Sequence, residues 1–155
     1  MPSVSQAVRQ AIGTVTWRHV SEPLSLRQLR EYLAGTGDDL AGLADEAAAA
    51  ARPVPPLFFH AACRPIVAES ELRADGQYAF LAVAGVAGET MSGGMRFEIL
   101  APVYLGDVLT VEERLESIDE KRGRSGPLVI TTTQAEYRNQ GGDLVARYRQ
   151  TIIFR

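Results

Sequence analysis

Three short stretches of this sequence carry residue types capable of chemistry. In Gly35-Thr36-Gly37-Asp38-Asp39-Leu40-Ala41-Gly42-Leu43, two adjacent carboxylates follow a Gly-Thr-Gly turn. His60 sits in an apolar run behind Pro55-Pro56, and Arg122 and Arg124 flank Gly123. A carboxylate and a histidine brought together make an acid-base pair. Paired arginines on a turn grip a phosphate through charge-assisted bonds. Each stretch also has a plainer reading. Asp38 or Asp39 caps a helix, His60 packs and bonds a nearby carbonyl, and the arginines form a solvated hairpin tip. The plainer reading is favoured in all three. His19 is read as an edge or surface residue, and Glu69 and Glu71 as solvent-facing. Gly93-Gly94 permits close backbone approach, either to a ligand or to another strand.

The elements that must position these groups divide the chain in two. Up to about residue 70 it reads as helical and loop-rich, and from about residue 78 as strand. Gly13–Val20 carries β-branched and aromatic residues and reads as a first strand. Ser25-Leu26-Arg27-Gln28 has the form of a capping box. Leu26, Leu29 and Leu33 then lie on one helical stripe, and Gly35 is the expected stop. A second helix is expected from Asp38 to about Arg52, with either aspartate suiting the positive end of its dipole. Pro56 would open a third helix, Leu57–Arg64, apolar on nearly every side and therefore central, with Pro65 ending or kinking it.

Strands are expected at Tyr78–Val86, Met95–Val103, Asp107–Lys121, Pro127–Asn139 and Leu144–Arg155. In the last of these Leu144, Ala146, Tyr148, Ile152 and Phe154 share one face at period two, with Arg147 and Arg149 on the other. An apolar helix followed by a long antiparallel meander predicts an α+β domain, its sheet wrapped around one central helix. Such a sheet leaves an exposed edge, which favours dimerisation.

Composition narrows the function classes. Hydrophobic residues at 46% and charged residues at 23% fit one globular domain spanning 1–155. A net charge of −3 provides no basic field for nucleic acid or an anionic membrane. Cys63 is the single cysteine, so no intramolecular disulfide forms, and its apolar surroundings read as packing. No apolar window is long enough to span a bilayer and no leader is evident, so a cytoplasmic protein is expected.

The later strands carry a resemblance. Met95–Arg155, with Ala101-Pro102-Val103, Gly106-Asp107, Glu120-Lys121-Arg122-Gly123-Arg124-Ser125-Gly126-Pro127, Tyr137-Arg138-Asn139-Gln140 and the closing Gln150-Thr151-Ile152-Ile153-Phe154, resembles the MaoC-like hydratases and dehydratases of the hot-dog fold. The likeness is greatest to their non-catalytic, N-terminal type of half and extends over roughly residues 13–155. It implies addition of water to a 2-enoyl thioester, or its removal from a 3-hydroxyacyl thioester, on coenzyme A or acyl carrier protein, with no metal or redox cofactor. It also implies a donor for the thioester oxygen at the start of the central helix, around Leu57 and Phe58.

Active members of that group carry Gly-Asp-x-Asn-Pro-x-His after a short helix. Gly37 and Asp38 match its first two positions, but Leu40, Ala41 and Leu43 stand where asparagine, proline and histidine are expected. Moving the acid role to Asp39 puts Ala44 at the histidine position. An ordinary carboxylate, ionised at neutral pH, is a poor proton donor without a second group titrating near 7. The expectation is therefore a subunit that shapes the acyl site, as a homodimer or beside a catalytic MaoC-like chain that carries the Asp/His pair. Asp38 and His60 are the candidate catalytic residues; Leu57, Phe58, Gly93, Gly94, Arg122 and Arg124 are the candidate substrate contacts. The alternatives are a self-sufficient homodimeric hydratase, a thioesterase, and a non-enzymatic acyl-CoA-binding scaffold.

Overall fold

The computed structural model describes residues 4–43, 45–74, 76–79, 83, 85–86, 88–124 and 126–155. Helices α1 (Gln6–Gln10), α2 (Leu26–Thr36), α3 (Glu46–Ala50) and α4 (Phe58–Ala62) accompany strands β1 (Val15–Val20), β2 (Thr90–Ile99), β3 (Thr110–Gly123), β4 (Gly126–Arg138) and β5 (Leu144–Phe154). The strands form one five-stranded sheet, β1-β3-β4-β5-β2, with antiparallel pairing throughout. The expected α+β architecture, a sheet around an apolar helix, is what the chain adopts.

Alternation along the strands sets the curvature and the core. Val111, Glu113 and Leu115 of β3, Ala135 and Tyr137 of β4, and Ala146 and Tyr148 of β5 are all buried. Phe58 and Phe59 of α4 press into this concave face and are 1% and 2% exposed. Burying each such ring is worth about 2–3 kcal/mol, so the docking of α4 is a main source of stability. The convex face carries Glu112, Arg114, Glu116, Glu136, Arg147 and Arg149, laced by ion pairs such as Arg149–Glu116 at 2.6 Å and Arg147–Glu136 at 3.4 Å.

Several local expectations need correction. The capping box at Ser25 is present with both of its reciprocal bonds, but α2 runs through Gly35 to Thr36. Gly37 is the actual cap, at φ 77°, with the Asp38 N–H closing onto the Leu33 carbonyl at 2.9 Å. A single helix from Asp38 to Arg52 does not form. A 3-10 turn at Ala41–Leu43, entered through the Asp39 side chain accepting from the Ala41 N–H, precedes α3, and Asp45 caps α3. The third helix is shorter than expected, and Pro56 does not open it. Leu57 occupies the cap position at φ 70°, the one non-glycine residue at positive φ among the described residues. The expected strand Tyr78–Val86 falls partly outside the described residues. Tyr78 forms an isolated bridge to Leu72 rather than a strand ladder, and the Val86 N–H closes a turn onto the Val83 carbonyl. Among the described residues no helix is long and apolar enough to cross a membrane.

Removing the α2 cap tests how far this helix supports the fold. Ser25→Ala should lower unfolding stability by about 1 kcal/mol. Gly37→Ala should cost a similar ~1 kcal/mol, because alanine is strained at positive φ. Urea unfolding midpoints measure both.

Candidate active site

Helix α4 is held between prolines. Pro53, Pro55 and Pro56 precede it, and Pro65 disfavours helical geometry at Arg64. Its amides are largely used within the turn: the Phe58 N–H bonds the Pro55 carbonyl at 3.2 Å and the Cys63 N–H bonds the Phe59 carbonyl at 2.9 Å. Arg64 lies just past the end of α4, its N–H bonded to the Ala61 carbonyl at 3.1 Å, and its side chain reaches back to His60.

These two side chains meet the sheet in a cluster of rings and charges. The His60 ring lies 4.5 Å from the Tyr148 ring and 5.4 Å from Phe97, centroid to centroid. Its Nδ1 is 2.6 Å from Tyr137 Oη, and its Nε2 is 3.2 Å from Arg64 Nη2. Arginine can only donate, so Nε2 must hold the lone pair. The ring proton then sits on Nδ1 and is donated to Tyr137 Oη. Burial, with a smaller push from the Arg64 charge, lowers the His60 pKa to about 4. At neutral pH this is an uncharged imidazole with both nitrogens engaged. It can accept a substrate proton only if Arg64 swings away.

A buried carboxylate on β3 lies close enough to feel the Arg64 charge. Glu113 is 3% exposed on the inward phase of β3, opposite Ala135. Thr16 Oγ1 donates to its Oε1 at 3.3 Å, and Thr133 also bonds it. Burial pushes the Glu113 carboxyl above its ordinary value, against the opposing pull of these bonds and of Arg64. Cys63, also buried, is pushed up to about 12 by the same desolvation and is an inert thiol at neutral pH.

The residues singled out from sequence are scattered. Asp38 is exposed beyond the end of α2 and accepts from Thr36 Oγ1 at 2.5 Å. Among the described residues nothing bonds it to His60. Leu43, where a histidine would stand in an active relative, packs half-buried against the main core. Leu57 is exposed at the mouth of α4, whereas Phe58 is core. Gly93 and Gly94 form a bulge in β2, and a Cβ on Gly93 would lie 2.8 Å from Thr151 Cγ2, so the close approach there is to β5. Arg122, paired opposite Pro127, and Arg124 lie exposed at the β3–β4 tip. Eight residues of β4 separate Pro127 from Ala135, so the tip is roughly 25 Å from the His60 cluster at ~3.3 Å per residue.

Arg64, Tyr137 and Glu113 were missed as members of a cluster. Glu113 had a signal, an acid on the apolar phase between Val111 and Leu115. Arg64 had another, its spacing of four from His60.

Two surface depressions differ in character. One, of about 420 Å³ on the convex face, is lined by Arg96, Glu98, Glu116, Glu136, Arg147 and Arg149. Its charges are balanced. The other, of about 440 Å³, is an apolar groove beside the start of α4, lined by Val54, Pro55, Phe59, Ile99 and Val103 among others.

A family model described as FAS1-like, dehydratase domain region, matches residues 10–148. The chain belongs to this FAS1-like dehydratase family. Among solved structures, this dehydratase-family domain is similar to the ChsH1-ChsH2 complex of Mycobacterium tuberculosis. That match has 14% identity and a TM-score of 0.69, covering 96% of this chain and 86% of that one. It is also similar to the C-terminally truncated HadBC (3R-hydroxyacyl-ACP dehydratase) complex of the same organism, at 23% identity and a TM-score of 0.64. There the shares covered are 92% and 96%. A MaoC-like dehydratase of Rhodospirillum rubrum gives 21% identity and a TM-score of 0.53, over 90% and 91% of the two chains. The fold is the MaoC-like hot-dog fold. No curated protein matches this dehydratase-family domain.

The two buried ionisable groups should respond oppositely to pH. His60 titrates lower in the folded than in the unfolded protein, so its contribution is intact above about pH 6.5 and is lost as pH falls towards 4. The loss should be about 2 kcal/mol after allowing for partial exposure, and His60→Gln should remove it. Glu113 titrates higher when folded, so its contribution is full at acid pH and is lost as pH rises through its raised value. Glu113→Gln should therefore flatten the stability curve on that side. Melting temperatures of the three proteins from pH 4 to 8 separate the two effects.

Proposed function

We propose that this chain is the acyl-site-shaping subunit of an enoyl-thioester hydratase or 3-hydroxyacyl-thioester dehydratase. In this reading a partner hot-dog chain carries the Asp/His pair. The observation that carries it is the missing acid-base pair. Leu43 fills the expected histidine position as a packing residue, Asp38 is turned to solvent, and the Nε2 lone pair of His60 is tied to Arg64. Hydration of an enoyl thioester needs a base for water, an acid for the α-carbon and donors for the developing enolate oxygen. This chain presents no such set on one surface among the described residues.

What it does present suits the acyl chain. The apolar groove beside α4 offers a hydrocarbon wall at an edge of the sheet. ChsH1-ChsH2 and HadBC, similar in fold, are complexes by name, which supports a role beside a second chain. The thioester is carried on coenzyme A or acyl carrier protein, the expected compartment is the cytoplasm, and the water chemistry needs no redox cofactor.

The test is hydration of crotonyl-CoA, followed by loss of the enoyl absorbance. The purified chain should be nearly inactive alone and gain at least a hundredfold on addition of a partner with an intact Gly-Asp-x-Asn-Pro-x-His segment. Turnover by the isolated chain that drops with Asp38→Asn or His60→Gln would replace this reading with the self-sufficient enzyme.

A further inference from the structure

Tyr148 carries a hydroxyl that the fold does not use. Its side chain is 4% exposed, with the ring 4.5 Å from His60 and 5.6 Å from Phe97. A tyrosine set this deep ordinarily bonds its hydroxyl to the protein. Among the described residues nothing hydrogen-bonds Tyr148 Oη, whereas Tyr137 Oη receives the His60 proton. No fully buried side-chain polar atom among those residues lacks a partner. The Tyr148 hydroxyl must therefore open onto a gap on the concave side.

Arg64 flanks the same imidazole. It is half-buried, bonds His60 Nε2 through Nη2 at 3.2 Å, and pairs with no carboxylate among the described residues. Cations drawn this far from water are ordinarily paired. Glu113, the acid of the cluster, feels the Arg64 charge but is bonded by Thr16 and Thr133. Burial raises the Tyr148 pKa and the Arg64 charge opposes it, so the guanidinium is within electrostatic reach of that hydroxyl.

We propose that Arg64 and Tyr148 form a binding site for the carboxylate of an aliphatic ligand. One Nη2 proton goes to His60, which leaves one two-pronged edge of the guanidinium unused. Such an edge matches the two oxygens of a carboxylate, and the Tyr148 O–H supplies a further donor. One unpaired cation meets one negative charge; a phosphate dianion would bring a second that nothing here balances. The surroundings suit an aliphatic body. Phe97 lies directly opposite Tyr148, and exposed Met95 and Ile99 flank it on the same phase of β2.

The carboxylate belongs either to a free aliphatic acid or to the far end of an acyl thioester. The site itself does not rest on the hydratase reading, and only the thioester source does.

Hexanoate and hexanamide differ only in the charged group, and NMR titration of the His60 ring protons at pH 7 compares them. Hexanoate should bind at least about tenfold tighter. Arg64→Met should erase that preference, and Tyr148→Phe should weaken hexanoate by about fivefold. Because its hydroxyl has no partner to lose, Tyr148→Phe should leave the urea midpoint unchanged, whereas Tyr137→Phe should lower it. Calorimetry with adipyl-CoA and hexanoyl-CoA then separates the two sources. Tighter binding of adipyl-CoA assigns the carboxylate-ended thioester; no difference, with hexanoate still preferred over hexanamide, assigns the free acid. None of these measurements needs turnover or a partner chain, so their failure is distinct from failure of the hydratase reading. Equal or absent binding of hexanoate and hexanamide, or a preference that survives Arg64→Met, would overturn the inference. So would hexanoate binding indifferent to Tyr148→Phe, or a urea midpoint that this substitution lowers.

Discussion

The two prolines that fence α4 constrain everything on the concave side of the sheet. Between Pro56 and Pro65 the chain has room for barely two helical turns, and the Leu57 cap uses one of those positions. Within that length the only way to bury apolar surface is to drive Phe58 and Phe59 straight into the curved sheet. His60 follows on the same helix, and Arg64, just past its cap, reaches back to the imidazole. The polar groups of the cluster are therefore satisfied by geometry that the rings dictate. Tyr137 receives the imidazole proton, Arg64 occupies the other nitrogen, and Glu113 is held by Thr16 and Thr133. Among the described residues no buried side-chain polar atom lacks a partner, as a well-formed interior requires.

The sheet separates two kinds of surface. Its concave side is rings and aliphatics around a few paired polar groups, and its convex side is a mesh of arginine and glutamate. Individual exposed ion pairs contribute little to stability. Their value here is in specification, since a slip of one residue in any strand would turn Glu136, Arg147 and Arg149 into the core and Tyr137 and Tyr148 out to water.

Much of the architecture was legible in the residues, because periodicity and turn chemistry are local. Alternation through β5, the turn signals after β3 and β4, and the Ser25–Gln28 capping box all act over a few positions. What escaped depended on competition between neighbouring local signals. Gly35 and Gly37 both could end α2, and the turn that closes onto Leu33 prevailed at Gly37. The stretch from Asp38 to Arg52 has helix-forming alanines, but Asp39 and Asp45 each capture backbone amides nearby and divide it. Pro56 suited a helix start in isolation, yet Leu57 at positive φ is what steers α4 inward. The site was less legible than the fold, because Tyr137 lies far from His60 in the chain and Glu113 far from Arg64, and only the folded sheet brings each pair near. The family motif directed attention to Asp38, which the fold turns to solvent.

The buried thiol of Cys63 turns the docking of α4 into something that can be timed. It is the sole cysteine, it closes the C-terminal end of that helix, and burial keeps it protonated and out of reach. A thiol reagent can reach it only while α4 is lifted from the sheet. Its labelling rate therefore counts those openings directly, a molecular clock for local unfolding that requires no engineered probe.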